Sequence, residues 1–291
     1  MAALSRWRWC DMTKNKGKYL LITYIILFGI GIVMIYPLIW LFFATFKTNN
    51  EIFTSIKLLP EQITWNGYIE GWKTAGQYTF GHYMFNSTKL VVGTVVATIC
   101  SSTIVAYGFA RFDFKFKKVL FGLMISTMML PNAVLIIPRY IIFNQFGWLD
   151  TYFPFIVPQI FAFTAFFVFL MIQFIRGLPK ELDESAYLDG CGSFRTLIYI
   201  LLPLCKPAMF SMCIFQFMWT WNDFFNPLIY INSVKKYPVS LALRMAIDLE
   251  STVSWNRVFA MSFVSILPIV ILFFAAQKYF VEGVATSGLK G

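Results

Sequence analysis

Six apolar runs, each long enough to cross a bilayer as a helix, limit what this chain can fold into. Uncharged sequence extends from Tyr19 to Phe46, Leu90 to Ala110, Val119 to Pro138, Thr151 to Ile175, Pro207 to Asn222 and on past Asp223, and Val258 to Gln277. A hydrocarbon core needs about 20 apolar residues of helix, so with their flanks the spans are read as 19–46, 88–110, 119–142, 151–175, 207–231 and 258–280. Backbone groups in lipid must bond within their own segment, which requires helices. The alternating segments of about 10 residues that mark a transmembrane barrel are absent. Charged residues make up 13% of the chain, against roughly 25% in soluble domains. The expected fold is a single all-α integral membrane domain over 1–291, with a long loop at 48–86 and a polar loop at 177–206.

Lys and Arg in the short loops set the orientation. Placing the N-terminus inside puts Arg6, Arg8, Lys14, Lys16 and Lys18 in the cytoplasm, with Arg111, Lys115, Lys117 and Lys118 after span two. The same side receives Arg176, Lys180, Arg195 and Lys206 after span four, and Lys278 and Lys290 in the tail. Both termini and the 177–206 loop are therefore read as cytoplasmic, and the 48–86 loop as external. The net charge of +10 then reports topology, with no nucleic-acid partner implied. Arg6-Trp7-Arg8-Trp9 suits the lipid headgroups. The first apolar run is too long for a signal-peptide core and lacks a small-residue cleavage site, so it is read as a retained span.

Several chemistries are excluded. The chain lacks GxxxxGK[ST], and Gly190-Cys191-Gly192 runs on to Arg195 where a dinucleotide loop would want a third glycine. No site for ATP or its Mg is therefore read in this chain, and no cofactor is expected here. Five scattered cysteines and the single histidine, His82, give neither a disulfide framework nor a metal site; a lone loop histidine of this kind is ordinarily just solvated. Proton- or ion-coupled carriers carry several carboxylates in their spans. By the uncharged-run reading, only Asp223 lies clearly within one.

The loop ELDESAYLDGCGSFRTLIYILLPLCKPA holds the most information. A short helix is predicted from near Pro179, with Glu181, Asp183 and Glu184 in its first turn against the positive end of the helix dipole. Ala186 and Gly190 allow a bend and a close approach by a partner. A second helical piece follows, with Phe194, Leu197, Ile198 and Leu201 as its apolar face, and Pro203 and Pro207 interrupt before span five.

The spacing Glu184-Ser185-Ala186, Gly190 six residues after Glu184, then Ile200, Leu202 and Pro203 resembles the EAA loop of ABC importer membrane subunits. The resemblance covers nearly the whole chain. Thr45-Phe46-Lys47 with Glu51-Ile52, Ala106-Tyr107-Gly108-Phe109-Ala110-Arg111, Pro131 with Ile137-Pro138, and Gly147-Trp148-Leu149-Asp150-Thr151 occur in order. Trp221-Asn222-Asp223-Phe224, Tyr279-Phe280-Val281 and Gly288-Leu289-Lys290-Gly291 complete the set. Together they are similar to the carbohydrate ABC importer permeases, the family of the maltose-importer subunit MalG. Ser185 and Cys191 depart from the usual alanines, and both are small.

The resemblance implies a type I importer fold of six spans with a cytoplasmic coupling helix. It further implies a second, homologous permease subunit, two ATPase subunits, an extracytoplasmic solute-binding protein and an oligosaccharide substrate, in a bacterial cytoplasmic membrane. Glu184, Ser185, Ala186, Asp189, Gly190, Phe194 and Pro203 would form the ATPase contact. The tail from Ser287 and Gly288 to Lys290 and Gly291 would insert between the ATPases. On span five, Trp219, Asn222 and Asn226 share a face beside Asp223, the mixture of ring and amide that suits a sugar. Equally, Asn222 and Asp223 could serve a backbone freed by Pro227, and Asn132 beside Pro131 has the same two readings. The 48–86 loop would either receive the binding protein or cover the partner subunit. A non-sugar importer and an ATPase-independent carrier are the alternatives.

Overall fold

The structure is a computed structural model that describes residues 2–73, 78–248 and 253–288, with side chains over 19–73, 78–247 and 253–277. The described residues are helical and contain no strand. Four helical segments are long and apolar enough to cross a membrane, or six if two sharply bent pairs each count as one span. By internal contacts the chain forms two compact units, Met1–Gly71 with Ser254–Phe263, and Trp72–Val253 with Val264–Gly291.

The first unit contains α1 (Ala2–Ala44) and α2 (Asn49–Thr54), with the opening turns of α3 (Asn66–Lys73) and part of the last helix. Thr45-Phe46-Lys47 is its folding centre. Thr45 and Lys47 are fully buried. The Tyr68 hydroxyl donates to Thr45 Oγ1 at 2.9 Å, Thr64 N donates to the Phe46 carbonyl at 2.9 Å, and Lys47 Nζ donates to the Lys57 carbonyl. Thr48 caps α2. Glu51 Oε1 accepts from Glu61 N at 2.7 Å, and Arg257 pairs with Glu70. Residues of the long loop that follows α1 thus pack onto the end of the first span.

The second unit is organised on α4 (Phe80–Arg111), which starts well before the span read from sequence. Its buried residues recur at three- and four-residue spacing from Phe80 and Tyr83 to Ala106 and Tyr107, the stripe a helix needs to pack on one side. The element after it is bent. Span three is α5 (Lys117–Met128) and α6 (Asn132–Gln145), which meet at 103° around Pro131. Proline blocks continuation there by removing a donor and pushing the preceding residue out of the helical region.

Span four is likewise two helices, α7 (Phe153–Ile160) and α8 (Ala165–Gly177), joined through Ala162 at φ 54°. The polar loop follows as α9 (Glu181–Leu188), α10 (Ser193–Thr196), a π-helical turn at Leu197–Leu201 and α11 (Leu202–Leu204). Span five is α12 (Lys206–Trp221), bent 77° from the Ser193–Leu204 segment, then α13 (Phe225–Tyr230). The chain ends in α14 (Val239–Asp248) and α15 (Trp255–Gly288).

α7, α8, α12 and α14 all pack against α4. The main core joins Ala106 and Tyr107 of α4, Phe167, Met171 and Ile175 of α8, Leu197 and Leu201 of the polar loop, and Met212 of α12. Gly93 lets α7 approach, since a Cβ there would lie 2.7 Å from Ile156 Cδ1.

Gly67 is the tightest backbone position in the first unit. An added Cβ would lie 2.8 Å from the Asn256 carbonyl oxygen and 3.2 Å from that of Thr45. Both are main-chain atoms that cannot swing aside. Gly67→Ala is expected to destabilise by about 1–3 kcal/mol. Gly108→Ala, where a Cβ meets nothing within 4 Å, should be neutral or gain up to about 1 kcal/mol. Thermal unfolding of the purified variants in detergent checks the contrast, and equal losses would refute it.

Candidate functional site

Three helices of the second unit lose regularity near one another, and the breaks line a cavity of about 790 Å³. Leu130 lies at the first break, Phe163 and Thr164 at the second, and Asp223 at the third. α4 contributes Thr94, α6 contributes Asn132 and Arg139, α7 contributes Gln159, α12 contributes Gln216, Trp219 and Thr220, and α13 contributes Asn226 and Tyr230. Irregular backbone at membrane depth survives only where protein or a wet cavity satisfies it.

A chain of hydroxyls and amides runs along the wall. Thr94 and Thr220 hydroxyls are 3.1 Å apart, Gln216 Nε2 donates to Thr220 Oγ1 at 2.9 Å, and Thr98 and Thr164 both donate to Gln159 Oε1. Ser101 Oγ donates to the Gln159 carbonyl at 2.6 Å. Trp219 stands half-exposed beside Phe166 and Phe167. The combination of aromatic face and hydroxyl or amide edge is suited to a polyhydroxylated solute.

Of the residues singled out from sequence, Asn132, Trp219, Asp223 and Asn226 lie on this cavity, and Asn222 does not. Asn222 Nδ2 donates to the Met218 carbonyl at 2.9 Å, serving the end of α12. Asp223 accepts from Asn226 N on Oδ1 at 3.1 Å and from Asn226 Nδ2 on Oδ2 at 2.8 Å, holding the first turn of α13. The carbonyl that Pro227 leaves without a helical donor is that of Asp223, and it accepts from Ser240 Oγ at 2.7 Å.

Arg139 was missed. The uncharged run ends at Pro138 and the span is read on to 142, so Arg139 lies within it without being weighed as a lining residue; α6 continues through that proline to Gln145. Asn132, Leu135, Arg139 and Phe143 recur at three- and four-residue spacing and all line the cavity, so a reading by helical face would have found it.

At the polar loop, α9 begins at Glu181, so Pro179 precedes the helix instead of opening it. Glu181, Asp183 and Glu184 occupy its first turn, where each carboxylate contributes roughly 0.3–1 kcal/mol against the dipole. The helix ends in a Schellman motif: Cys191 N donates to the Ala186 carbonyl at 2.9 Å and Gly190 N to that of Tyr187 at 3.0 Å. Gly190 sits at φ 80° with open space where a Cβ would be, so conformation, not crowding within this chain, requires the glycine.

Ala186 is buried against the chain itself, while Glu184, Ser185, Tyr187, Leu188, Asp189 and Gly190 are exposed. Phe194 is exposed as well, and so departs from the apolar face expected of it. The buried side of that segment is Thr196, Leu197 and Leu201, so Leu197 and Leu201 are covered as expected while Phe194, in α10 before the π-helical turn, is not. Pro203 lies exposed within α11.

One side chain ties this loop to α4. Arg111, the last residue of α4, has a side chain only 6% exposed, and its Nε lies 2.9 Å from Asp183 Oδ2 in a charge contact that is not an aligned hydrogen bond. Its Nη2 donates to the carbonyls of Leu178 at 3.1 Å and Pro179 at 3.4 Å. A cleft of about 310 Å³ beside it is lined by Tyr107, Lys180, Asp183, Glu184 and Tyr187. Ser287 and Gly288 close α15, whereas Lys290 and Gly291 lie outside the described residues.

A second polar knot joins Asp150 to the segment after α13. Asp150 Oδ1 accepts from the amides of Asn232 and Ser233, and Oδ2 accepts from Ser233 Oγ at 2.6 Å and Lys236 Nζ at 2.8 Å. His82, expected in a solvated loop, instead stands in the first turn of α4. It stacks on Tyr78 and meets the Lys235 carbonyl at 2.6 Å, beside Asn86, which donates to the same oxygen.

Among the described residues the protein is helical, and helices broken around a cavity of mixed polar and apolar lining suit a multi-pass solute permease. The chain belongs to the family described as binding-protein-dependent transport system inner membrane components, which it matches over residues 93–286. Members of that family are membrane components of ABC transport systems and are not themselves enzymes; they work with an ATPase and a solute-binding protein. The probable ABC transporter permease protein YurM of Bacillus subtilis is 32% identical over 92% of this chain and 88% of its own length. The arabinooligosaccharides transport system permease protein AraQ of Halalkalibacterium halodurans is 32% identical over 90% and 93%. The trehalose/maltose transport system permease protein MalG of Thermococcus litoralis is 27% identical over 90% and 93%. A chain from the crystal structure of a bacterial ABC transporter involved in alginate import shares the fold, with a TM-score of 0.80 and 21% identity over 90% of this chain and 96% of that one.

Burial works against ionisation of Asp150, but the hydrogen bonds from Lys236, Ser233 and Asn232 outweigh it and hold the carboxyl well below the usual aspartate range. The carboxylate therefore contributes stability that is complete above the unfolded value of about 3.9 and is lost as pH falls through the lower folded value. Because Lys236 is more than a third exposed, solvent screening discounts the gain. Asp150→Asn should cost about 1 kcal/mol at pH 7, and its deficit against wild type should shrink as pH drops below about 4. Thermal unfolding at both pH values checks this, and a deficit that grows in acid would refute it.

Proposed function

We propose that this chain is one of two homologous membrane subunits of an ATP-driven, binding-protein-dependent oligosaccharide importer. Two ATPase subunits dock on the exposed side of α9, and the termini lie in the cytoplasm of a bacterial cell. Glu184, Ser185, Asp189 and Phe194 face the ATPase groove, while Ala186, Gly190 and Pro203 give the docking block its shape. Ser287, Gly288, Lys290 and Gly291 reach between the ATPases. ATP binding closes the ATPase pair, and the motion passes through α9 to the helices around the cavity, exposing it alternately to either side.

The observation that carries this reading is the physical continuity from the exposed rim of α9, through the Asp183–Arg111 contact, into α4, whose Thr94 lines the cavity. A docking surface and a solute chamber are thus joined by one rigid helix. Oligosaccharide as substrate is supported by the cavity's ring-and-amide lining and by relatives whose names specify arabinooligosaccharides, diacetylchitobiose and trehalose or maltose. The 48–71 segment, packed on the end of the first span, would receive the binding protein.

Glu184 is exposed at the rim of the cleft beside Lys180. Reversing its charge with Glu184→Lys is expected to cut binding-protein-stimulated ATP hydrolysis of the complex in nanodiscs by about tenfold or more, and to reduce ATPase co-purification. Ser185→Ala should leave both nearly unchanged. Normal assembly and hydrolysis by the lysine variant would contradict the docking assignment.

A further inference from the structure

We infer that the cavity holds a carboxylate-recognition subsite centred on Arg139, so that the transported sugar is an oligosaccharide bearing uronic acid residues. The inference rests on the permease reading above and names the substrate class of the same cavity.

Arg139 lies midway along α6 with its guanidinium 4.8 Å from the Phe163 ring centroid, and Nη1 donates to Asn132 Oδ1 at 3.1 Å. The ring fixes the plane of the guanidinium and the amide fixes its rotation. Its other N–H donors make no hydrogen bond among the described residues, and the side chain lines the cavity. No carboxylate pairs with it among the described residues. A cation inside a membrane domain ordinarily has a counter-charge or marks a substrate path.

Asp223, the other charged side chain on the cavity, makes no ion pair with Arg139 among the described residues; its two oxygens accept from the backbone N and the side-chain amide of Asn226. Tyr230, also on α13, points to the same conclusion from a different direction. It lines the cavity, is 3% exposed, and its hydroxyl has no hydrogen-bond partner. Edge contacts with Phe143 and Phe155 hold its ring. A buried hydroxyl without a partner is costly and rare in native proteins, and it calls for an explanation.

A uronate meets both needs. Its carboxylate can take two parallel N–H bonds from the guanidinium fork, and the Tyr230 hydroxyl can donate to a carboxylate or ring oxygen. Asn132, with its carbonyl oxygen held by Arg139, has its NH₂ left to donate to a hydroxyl. Trp219 offers its face to the apolar side of the pyranose. A neutral sugar would leave the guanidinium without compensation at the centre of the path.

The test is uptake by the complete complex in proteoliposomes, with binding protein and ATP. The probes are labelled oligogalacturonate, oligomannuronate and glucuronate-bearing xylooligosaccharide, each beside its neutral counterpart. The wild type should accumulate at least one acidic probe in preference to its neutral partner. Arg139→Gln should lower that uptake about tenfold or more, with Arg139→Lys intermediate, because an ammonium keeps the charge and loses the fork. Assembly and binding-protein affinity should be unchanged in both. Uptake of neutral sugars alone by the wild type would overturn the inference and leave the oligosaccharide reading standing, as would acidic-sugar uptake indifferent to Arg139→Gln. Failure of both variants to assemble would assign Arg139 to a partner subunit's acid and also overturn it. Uptake of no sugar at all would overturn the permease substrate class itself.

Discussion

A buried guanidinium at the end of α4 is the constraint on which the rest depends. Arg111 closes the longest helix of the second unit, contacts the first-turn carboxylate of α9 and takes up two carbonyls at the end of the chain leaving α8. The charges suit both helix ends, with a cation at the C-terminus of α4 and an anion at the N-terminus of α9. Removing either partner would leave an uncompensated, largely buried charge, which typically costs about 3–5 kcal/mol. The polar loop is thereby fixed to the helix around which α7, α8, α12 and α14 pack.

The other end of the same helix carries a complementary set of ties. His82 and Asn86 meet the carbonyls after α13, Ser87 accepts from Val239 N at 2.8 Å, and Asp150 gathers that segment through Asn232, Ser233 and Lys236. Between these two polar knots the contacts of α4 are apolar side chains and a few hydroxyls. Such packing has discrete alternatives and little directional resistance. The cavity occupies this middle region, where three neighbouring elements are broken.

Much of this was legible in the sequence. The apolar runs gave the multi-pass helical fold, because length and charge exclusion are properties of composition alone. The acidic first turn of α9 and the Gly190 turn could be read because dipole and φ preferences act locally. What was lost depended on register or tertiary partners. Phe194, in the short α10 before the π-helical turn, stands at the surface, and no local signal tells which face of so short a helix is covered. Arg139 lay inside the predicted span but escaped because nothing local says which face of a helix lines a cavity; within α6 its guanidinium meets Phe163 and Asn132. Asp223 could have been a solute ligand or a helix cap, and only the position of Asn226 distinguishes the two.

The proposed coupling requires that α9 and α4 move as one body, joined by the Arg111–Asp183 contact. A pulsed electron-resonance distance between spin labels at Ser185→Cys on α9 and at the exposed Cys100 on α4, with the other cysteines replaced, tests it directly in the reconstituted complex. The account predicts the same narrow distance distribution in the nucleotide-free and ATP-bound states. A distribution that shifts or broadens between the two states would contradict it, because the Arg111–Asp183 contact would then be a hinge.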